Sequence, residues 1–132
     1  FMTKSHKKIS FIFLILVLLV GLWLIYQFPV QKYLAEQKFI EYTSLQRVDL
    51  QDIRSQKFLK DYKTGGYDIE VEYKSDPGLT YEYSYAPHRG SGKTLRFHLM
   101  ACFIYDEENV EVVLTGRQPK YPPLMVNGDL YV

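Results

Sequence analysis

The sequence predicts an α+β domain that is held to a membrane by one N-terminal helix. Three observations lead to this fold class. Residues 9–28 carry no charge, a segment with helical spacing follows them, and most of the remaining chain alternates apolar and polar residues with the period of a β-strand. We expect a transmembrane helix, then a juxtamembrane helix packed on an antiparallel meander of about five strands.

This prediction divides the 132 residues into three parts. Residues 1–8 form a basic cytoplasmic N-terminus, in which we expect Met2 to be the natural first residue. Residues 9–28 form the membrane anchor. Residues 29–132 form one extracytoplasmic α+β domain, with an irregular, proline-rich tail from about residue 118. About a hundred residues are enough for one small domain with a single core.

The predicted anchor is "ISFIFLILVLLVGLWLIYQF", in which fifteen of twenty residues are Leu, Ile, Val or Phe. These residues contribute about −7 kcal/mol to membrane insertion. Twenty helical residues also reach about 30 Å, the thickness of the hydrocarbon layer. A cleaved signal peptide is the alternative, but the apolar run is long for a signal and no A-x-A pattern follows it. We therefore expect an uncleaved anchor.

The charges that flank the anchor predict its orientation. Lys4, Lys7 and Lys8 precede it, whereas two glutamates dilute the two lysines that follow it. Lys and Arg are enriched on the cytoplasmic side of membrane helices. We expect a single-pass protein of the cell membrane, with its N-terminus in the cytoplasm, residues 29–132 outside, and the lipid bilayer as partner through residues 9–28.

The juxtamembrane helix is predicted to begin at Pro29, where the missing N–H of proline would have no helical partner anyway. One side of this helix carries an apolar stripe. The stripe comprises Val30, Tyr33, Leu34 and Ile40. Phe39 and Tyr42 fall on another side, so the helix either contacts two surfaces or is frayed at its end.

Two segments alternate regularly, Tyr67–Lys74 and Leu79–Tyr85. Their apolar positions are Tyr67, Ile69, Val71 and Tyr73 in the first and Leu79, Tyr81, Tyr83 and Tyr85 in the second. The turn Ser75–Gly78 between them contains proline and glycine, which favour turn conformations. The pattern predicts a hairpin whose two apolar faces lie on the same side.

Three more strands complete the predicted meander: Phe58–Tyr62, Thr94–Tyr105 and Val110–Thr115. The predicted core face of the long strand comprises Leu95, Phe97, Leu99, Ala101 and Phe103. We expect Arg96 and His98 on its wet face, and cover on both sides of its second half. The juxtamembrane helix is the long element that can cover the sheet.

These features together resemble a family of small single-pass membrane proteins from Gram-positive bacteria, the domain of unknown function three-one-three-nine. The resemblance runs from Lys7 to Tyr85, and "GGYDIEVEYKSDPGLTYEYSY" is its most specific part. It implies a location in the cell envelope. It implies no ligand and no catalytic residue.

Gly92-Lys93-Thr94 ends the octapeptide "PHRGSGKT" in the manner of a phosphate-binding loop. Such a loop needs a glycine where Pro87 stands and a helix after the motif. The residues that follow have the period of a strand, so we interpret the octapeptide as a hairpin loop. We expect no nucleotide as partner.

Four other groups of residues carry side chains that could take part in chemistry. The single cysteine, Cys102, excludes a disulfide within the chain and is interpreted as a buried structural thiol. His88 and His98 lack a third ligand for a metal. Glu70, Glu72, Glu82 and Ser84 are interpreted as a solvated face. The tyrosines at 67, 73, 81, 83 and 85 are interpreted as core, with an aromatic binding groove as the alternative.

We predict no catalytic residue, no metal and no cofactor. Residues 29–132 contain 13 basic and 15 acidic residues, so they lack the basic surface of a nucleic-acid binder. The expected function is a non-enzymatic module that binds a protein, a peptide or an envelope component. The alternatives are a factor secreted after signal cleavage and a small envelope enzyme, which would need a cleft with a perturbed carboxylate.

Overall fold

The computed structural model describes residues 4–132. Residues 1–3, which belong to the predicted cytoplasmic segment 1–8, lie outside the described residues. The helices are α1 (Lys4–Ile25), α2 (Gln31–Gln46) and α3 (Val112–Thr115). The strands are β1 (Ile53–Lys60), β2 (Tyr67–Tyr73), β3 (Thr80–Arg89) and β4 (Arg96–Tyr105).

One continuous helix, Lys4–Gln46, opens the described chain. It is long and apolar enough to cross a membrane, with a mean hydropathy of 2.9 over its most apolar stretch, none of which is buried. Only the length and the composition of the helix support its assignment as a candidate membrane span. A signal sequence near an N-terminus has both properties as well.

The two long helices are joined by a π-helical segment, Tyr26–Val30, that contains Pro29. The prediction that Pro29 begins a helix is therefore wrong. Proline has no N–H to donate, and its ring crowds the preceding turn of an α-helix. A widened π turn relieves that crowding. The α-helix resumes at Gln31, whose backbone N–H donates to the carbonyls of Phe28 and Tyr26.

The four strands pair in chain order, each antiparallel to the next. The α+β class, with a helix packed on an antiparallel meander, is confirmed. The expected count of about five strands is wrong, since the described residues form four. In place of the predicted strand Val110–Thr115, a single bridge joins Glu111 to Tyr105, and α3 follows at once.

The outer edge of β4 carries two short pairings. Near its end, Glu111 bridges to Tyr105. Further back, the backbone of Met100 is paired with Val132 through two hydrogen bonds of 3.0 Å. Between these pairings the chain does not follow the edge, because it turns away into α3 directly after Glu111.

α2 packs on the sheet through the side that carries Phe39 and Tyr42, and not through the apolar stripe seen in the sequence. Its buried residues are Gln31, Ala35, Lys38, Phe39, Tyr42 and Thr43, whereas Tyr33 and Ile40 of the predicted stripe are exposed. The choice of face follows from the fit to the sheet. The ring of Tyr83 packs edge-on against Phe39 and Tyr42, with centroids 4.9 and 5.6 Å away.

The prediction for the core face of β4 is also wrong, because the alternation of its side chains is offset by one residue. The register pairs Tyr83 with Cys102 and Tyr85 with Met100. Directly paired residues point to the same side of a sheet, so the even-numbered side chains of β4 face α2. Phe97, expected in the core, is 67% exposed. The second half of β4 is buried on both faces, as expected from its composition.

β2 and β3 have the predicted faces. The tyrosines at 67, 73, 81, 83 and 85 are all buried, which confirms the core interpretation and excludes an aromatic groove made from them. Gly66 allows the chain to enter β2, because a Cβ built there would lie 1.9 Å from the carbonyl oxygen of Tyr85. The "GGY" of the sequence thus reflects a close backbone approach.

Candidate binding groove and acidic face

The core tyrosines carry hydroxyls that bond inside the protein. Tyr73 and Tyr83 share a hydrogen bond of 2.7 Å, and the Tyr83 hydroxyl donates to Gln46 Oε1 at 2.9 Å. The amide of Gln46 has this orientation because its Nε2 donates to the carbonyls of Tyr121 and Pro122. A line of polar contacts therefore crosses from the sheet, through α2, to the C-terminal part of the chain.

That C-terminal part, residues 117–132, is called the tail below. Tyrosine hydroxyls hold its backbone: Tyr81 accepts the N–H of Tyr121 at 3.2 Å, and Tyr42 accepts the N–H of Leu124 at 2.8 Å. The hydroxyl of Tyr121 donates to Asp52 at 2.9 Å. Proline lacks an N–H, so the proline-rich tail has few ladder donors, and side-chain hydroxyls bind the donors it has.

The tail encloses an apolar groove of about 370 Å³ against α3 and the outer edge of β4. Residues 102–104 of β4 form its floor, and Val112 and Val113 of α3 form one wall. Prolines and Met125 of the tail form the other wall. The floor lies between the pairing of Met100 with Val132 and the bridge from Tyr105 to Glu111. We call this space the tail groove.

The tail groove is open and apolar. Val113 is 81% exposed and Met125 is 62% exposed. A volume of a few hundred Å³ is typical of small ligand pockets, and exposed apolar side chains grouped around a cleft are characteristic of interaction sites. The arrangement can accommodate a few apolar side chains of an extended segment.

Cys102 lies at the floor of the tail groove, but its side chain is in the core. It is 1% exposed, and burial raises the pKa of its thiol. A thiolate is the nucleophilic form of cysteine, so this site favours the unreactive form. The interpretation of Cys102 as a buried thiol is confirmed.

The sheet face opposite α2 carries an acidic cluster. Glu70 and Glu82 pair directly across β2 and β3, and Asp68 accepts a hydrogen bond of 2.8 Å from Ser84. Burial, followed by the charges of Asp68 and Glu70, raises the pKa of Glu82 to about 7. The expected solvated face is therefore only partly solvated, although Glu72 is exposed as expected.

A small depression of about 240 Å³ lies on this face. It is lined by Glu70, Thr80, Glu82, Tyr105 and Asn109. Tyr105 and the neighbouring strands cover Glu82 enough to remove part of its water, which is the main cause of its raised pKa. Among residues 4–132, no group of three or more His, Cys, Asp or Glu side chains is arranged to hold a metal ion.

The two histidines beyond the N-terminal segment have different surroundings. His88 is exposed near the end of β3. His98 is not on the wet face beside Arg96, as predicted. It faces the helix side, where its Nδ1 lies 2.8 Å from the hydroxyl of Tyr85. Burial, followed by the charge of Lys38, lowers the pKa of His98. The one-residue error in the face of β4 accounts for this misplacement.

Gly92-Lys93-Thr94 forms a short 3₁₀ turn between β3 and β4. The hydroxyl of Thr94 donates to the carbonyl of Ser91 at 2.7 Å, so it stabilises the loop itself. The chain continues into β4 rather than into a helix. The interpretation of this motif as a hairpin loop is confirmed, and the absence of a nucleotide partner stays a prediction.

Lys60 links the sheet to the π segment. Its Nζ donates to Gln27 Oε1 at 3.0 Å, to Gln31 Oε1 at 2.7 Å and to the carbonyl of Gly65 at 2.9 Å. Tyr67 reinforces this link, since its hydroxyl donates to the carbonyl of Phe28 at 3.1 Å. We call the end of the domain where these contacts lie the α1 end.

Sequence reasoning missed the tail groove and the Lys60 link. Both join segments that are far apart in the chain, and neither contains a motif. One signal for the groove exists: ten of the twelve tyrosines in the chain precede the proline-rich tail. Buried tyrosine hydroxyls need partners, and the backbone of a segment with no strand partner can provide them.

The fold is that of a helix-on-sheet α+β module with an open apolar groove between the edge of its sheet and its own C-terminal tail. The chain belongs to the family described as Protein of unknown function (DUF3139), whose model matches residues 6–83. The match includes α1, α2, β1 and β2 and ends within β3. It therefore leaves out all the residues that line the tail groove, which lie between Cys102 and Leu130. No curated protein and no solved structure matches the chain.

Proposed function

We propose that this chain is a membrane-anchored envelope protein whose extracytoplasmic module binds a short, extended, apolar peptide segment in the tail groove. The module does no catalysis. The observation that carries the proposal is the open groove of about 370 Å³, with Val113 and Met125 exposed beside it. Water around such side chains is released when an apolar partner covers them.

The backbone of β4 supports an extended partner. The groove floor lies at the outer edge of a strand, between two short pairings of that edge. A peptide can add to such an edge through main-chain hydrogen bonds, while pockets beside it select the side chains. Pockets that admit only a few side chains favour a short segment rather than a whole domain surface.

Anchoring through an uncleaved α1 is supported by the way α2 packs. Ala35, the one small residue near a signal-cleavage position, is 0% exposed within the core. Cleavage beside it would remove Gln27 and Gln31, which both accept hydrogen bonds from Lys60. The uncleaved chain keeps these contacts. The lysines before α1 support a cytoplasmic N-terminus, with the module outside.

The proposed binding is tested with the full chain in lipid nanodiscs. Random peptides displayed on phage are selected against it, and the binding of the enriched peptides is measured by fluorescence anisotropy. We expect extended sequences with two or three apolar residues. Val113→Asp should weaken their binding by about tenfold or more, which is about 1.4 kcal/mol.

A matched variant controls for surface charge. Leu45→Asp replaces another exposed apolar residue by the same charge, on α2 and outside the groove, and should leave peptide binding unchanged. Peptides that enrich equally on empty nanodiscs, or that bind the Val113→Asp protein as well as the wild type, would refute the groove proposal. Extraction of cell membranes with carbonate tests the anchor separately, because a cleaved module would leave the membrane.

A small envelope enzyme is the second candidate, and one observation favours it. Glu82 lies beside a depression with a pKa raised to about 7, a value suited to a general acid or base near neutral pH. Loss of a hydrolytic activity in Glu82→Gln, with the activity kept in Glu72→Gln, would establish this alternative. Equal activity of both variants would exclude Glu82 as the catalytic group.

A further inference from the structure

Two loops lie at the α1 end of the domain. The loop 61–66 joins β1 to β2, directly after Lys60, which contacts Gln27 and Gln31. The loop 90–95 joins β3 to β4. Since Tyr67 bonds to the carbonyl of Phe28 and pairs with Tyr85 of β3, the part of β3 beyond Tyr85 continues towards the side on which α1 lies.

The hairpin of β3 and β4 extends past the rest of the sheet. β2 begins opposite Tyr85, but β3 and β4 stay paired as far as Arg89 and Arg96. Four further residues of strand reach about 13 Å. The tip of the hairpin therefore projects beyond the level of Phe28, on the side towards α1, and Asp129 and Tyr131 of the tail lie against its two strands.

This projecting surface combines apolar and basic side chains. Phe97 is 67% exposed and Tyr62, in the neighbouring loop, is 80% exposed. Lys63, Arg89 and Lys93 are exposed beside them. Residues 87–97 contain three basic residues and no Asp or Glu.

The surface keeps a net positive charge. Its two carboxylates are Asp61, at the start of the loop 61–66, and Asp129 of the tail, and they stand against the four basic side chains of Lys63, Arg89, Lys93 and Arg96. Asp129 of the tail neutralises Arg96 through an ion pair of 2.6 Å, and the guanidinium of Arg89 lies 4.0 Å from the ring centre of Tyr131. A cation on an aromatic face keeps its charge. The surface thus presents the pattern of residues found at membrane interfaces, where aromatic rings and basic side chains meet the headgroup layer.

We propose that this surface, formed by the loops 61–66 and 90–95 with Phe97, docks on the anionic headgroups of the same bilayer that holds α1. The inference rests on the anchoring in the proposed function and is independent of the tail groove. The anchor brings the surface to the bilayer, and anionic headgroups attract basic side chains that lie within a Debye length of them. Docking fixes the tilt of the domain on the membrane. The part of the tail groove that is farthest from the docked surface then faces away from the bilayer.

The test uses the full chain reconstituted in two kinds of vesicle, one of neutral phosphatidylcholine and one containing about a third of phosphatidylglycerol. An environment-sensitive fluorophore is attached at His88→Cys, near the hairpin tip, or at Glu108→Cys, in the turn at the opposite end of β4. Both positions are exposed, and the buried Cys102 stays unlabelled. We expect a blue shift and quenching by headgroup-attached quenchers for the first probe in anionic vesicles only.

Charge variants identify the residues responsible. Lys63→Gln with Lys93→Gln should reduce the shift of the first probe several-fold. Arg54→Gln with Lys74→Gln removes the same charge from exposed positions away from the α1 end and should have no effect. Equal responses in neutral and anionic vesicles, equal responses of the two probes, or an unchanged response of the Lys63/Lys93 variant would each overturn the proposal.

Failure of the anchor and failure of this docking give different results. If carbonate releases the chain from the membrane, the anchoring and the docking both fall. If the chain stays in the membrane and the two probes respond alike, the docking alone falls. Loss of peptide binding in the groove has no bearing on either measurement.

Discussion

The hydroxyls of Tyr73 and Tyr83 meet at 2.7 Å inside the core, between the sheet and the end of α2. Tyr83 passes the contact on to Gln46, and Gln46 binds two carbonyls of the tail. Phenylalanine would fill the same space without these bonds. The tyrosines thus fill the core and also connect the sheet, α2 and the tail to one another.

Replacing Tyr83 by phenylalanine should lower the free energy of unfolding by about 2 kcal/mol. The change leaves the Tyr73 hydroxyl without an acceptor and Gln46 Oε1 without a donor, and an unsatisfied buried polar group costs about 1–3 kcal/mol. Urea unfolding of the full chain in detergent measures the loss. Tyr62→Phe, at an exposed position, is the control and should change nothing; similar stabilities of the two variants would contradict the network.

Gly66→Ala should destabilise the fold by about 2–3 kcal/mol, since overpacking forces backbone shifts of that cost. The new Cβ would lie 1.9 Å from the carbonyl oxygen of Tyr85. The midpoint of thermal unfolding reports the effect. Gly21→Ala is the control, because nothing lies within 4 Å of a Cβ at that position. A Gly66→Ala protein as stable as the wild type would show that β2 and β3 are further apart at this point.

Stability should depend on pH through Glu82. Its pKa is raised from 4.5 to about 7, so the folded state binds the proton more tightly than the unfolded chain does. The stability that this tighter proton binding gives the folded state is complete at pH values below the pKa of Glu82 in the unfolded chain. It is lost as the pH rises through about 7. After allowance for solvent screening, Glu82→Gln should be more stable than the wild type by about 1 kcal/mol at neutral to alkaline pH.

The advantage of Glu82→Gln should shrink towards zero as the pH falls below the ordinary range of a glutamate. Glu72→Gln, on the same face but exposed, provides the comparison. Denaturant titrations at a series of pH values follow both variants. A difference between Glu82→Gln and the wild type that stays constant over this range would show that Glu82 titrates normally.

Lys60→Met should loosen the junction between the long helix and the sheet. Three hydrogen bonds from Nζ are lost, and we expect a loss of about 1.5 kcal/mol together with faster amide hydrogen exchange in Tyr26–Val30. Lys57→Met, exposed on the same strand, serves as the matched change. Unaltered exchange in the π segment would mean that packing alone holds the junction.

Cys102 should not react with a thiol reagent in the folded protein at mildly alkaline pH. Burial hides the sulfur and raises the pKa of the thiol, so neither access nor thiolate is available. Denaturant should expose it fully. Glu108→Cys gives a positive control, as one thiol of that variant is exposed and reacts at once. Rapid labelling of the native wild type would contradict the burial of this thiol in the core.

Much of the fold could be predicted because its patterns are local. The uncharged run in α1 and the alternation of β2 and β3 depend on the residues of one segment, and both have the predicted character. The faces of α2 and β4 could not be assigned in this way. Each of these elements carries apolar residues on more than one side, so its own pattern allows two answers.

The chain's own residue pattern settled the fold class, the long apolar helix and the tyrosine face of the sheet. Packing between distant segments decided the rest. Val132 pairs with Met100 at the outer edge of β4, and Phe39 and Tyr42 of α2 pack against Tyr83 of the sheet. The tail groove and the raised pKa of Glu82 have the same origin, because burial and the proximity of charges exist only once separate strands and the tail have come together.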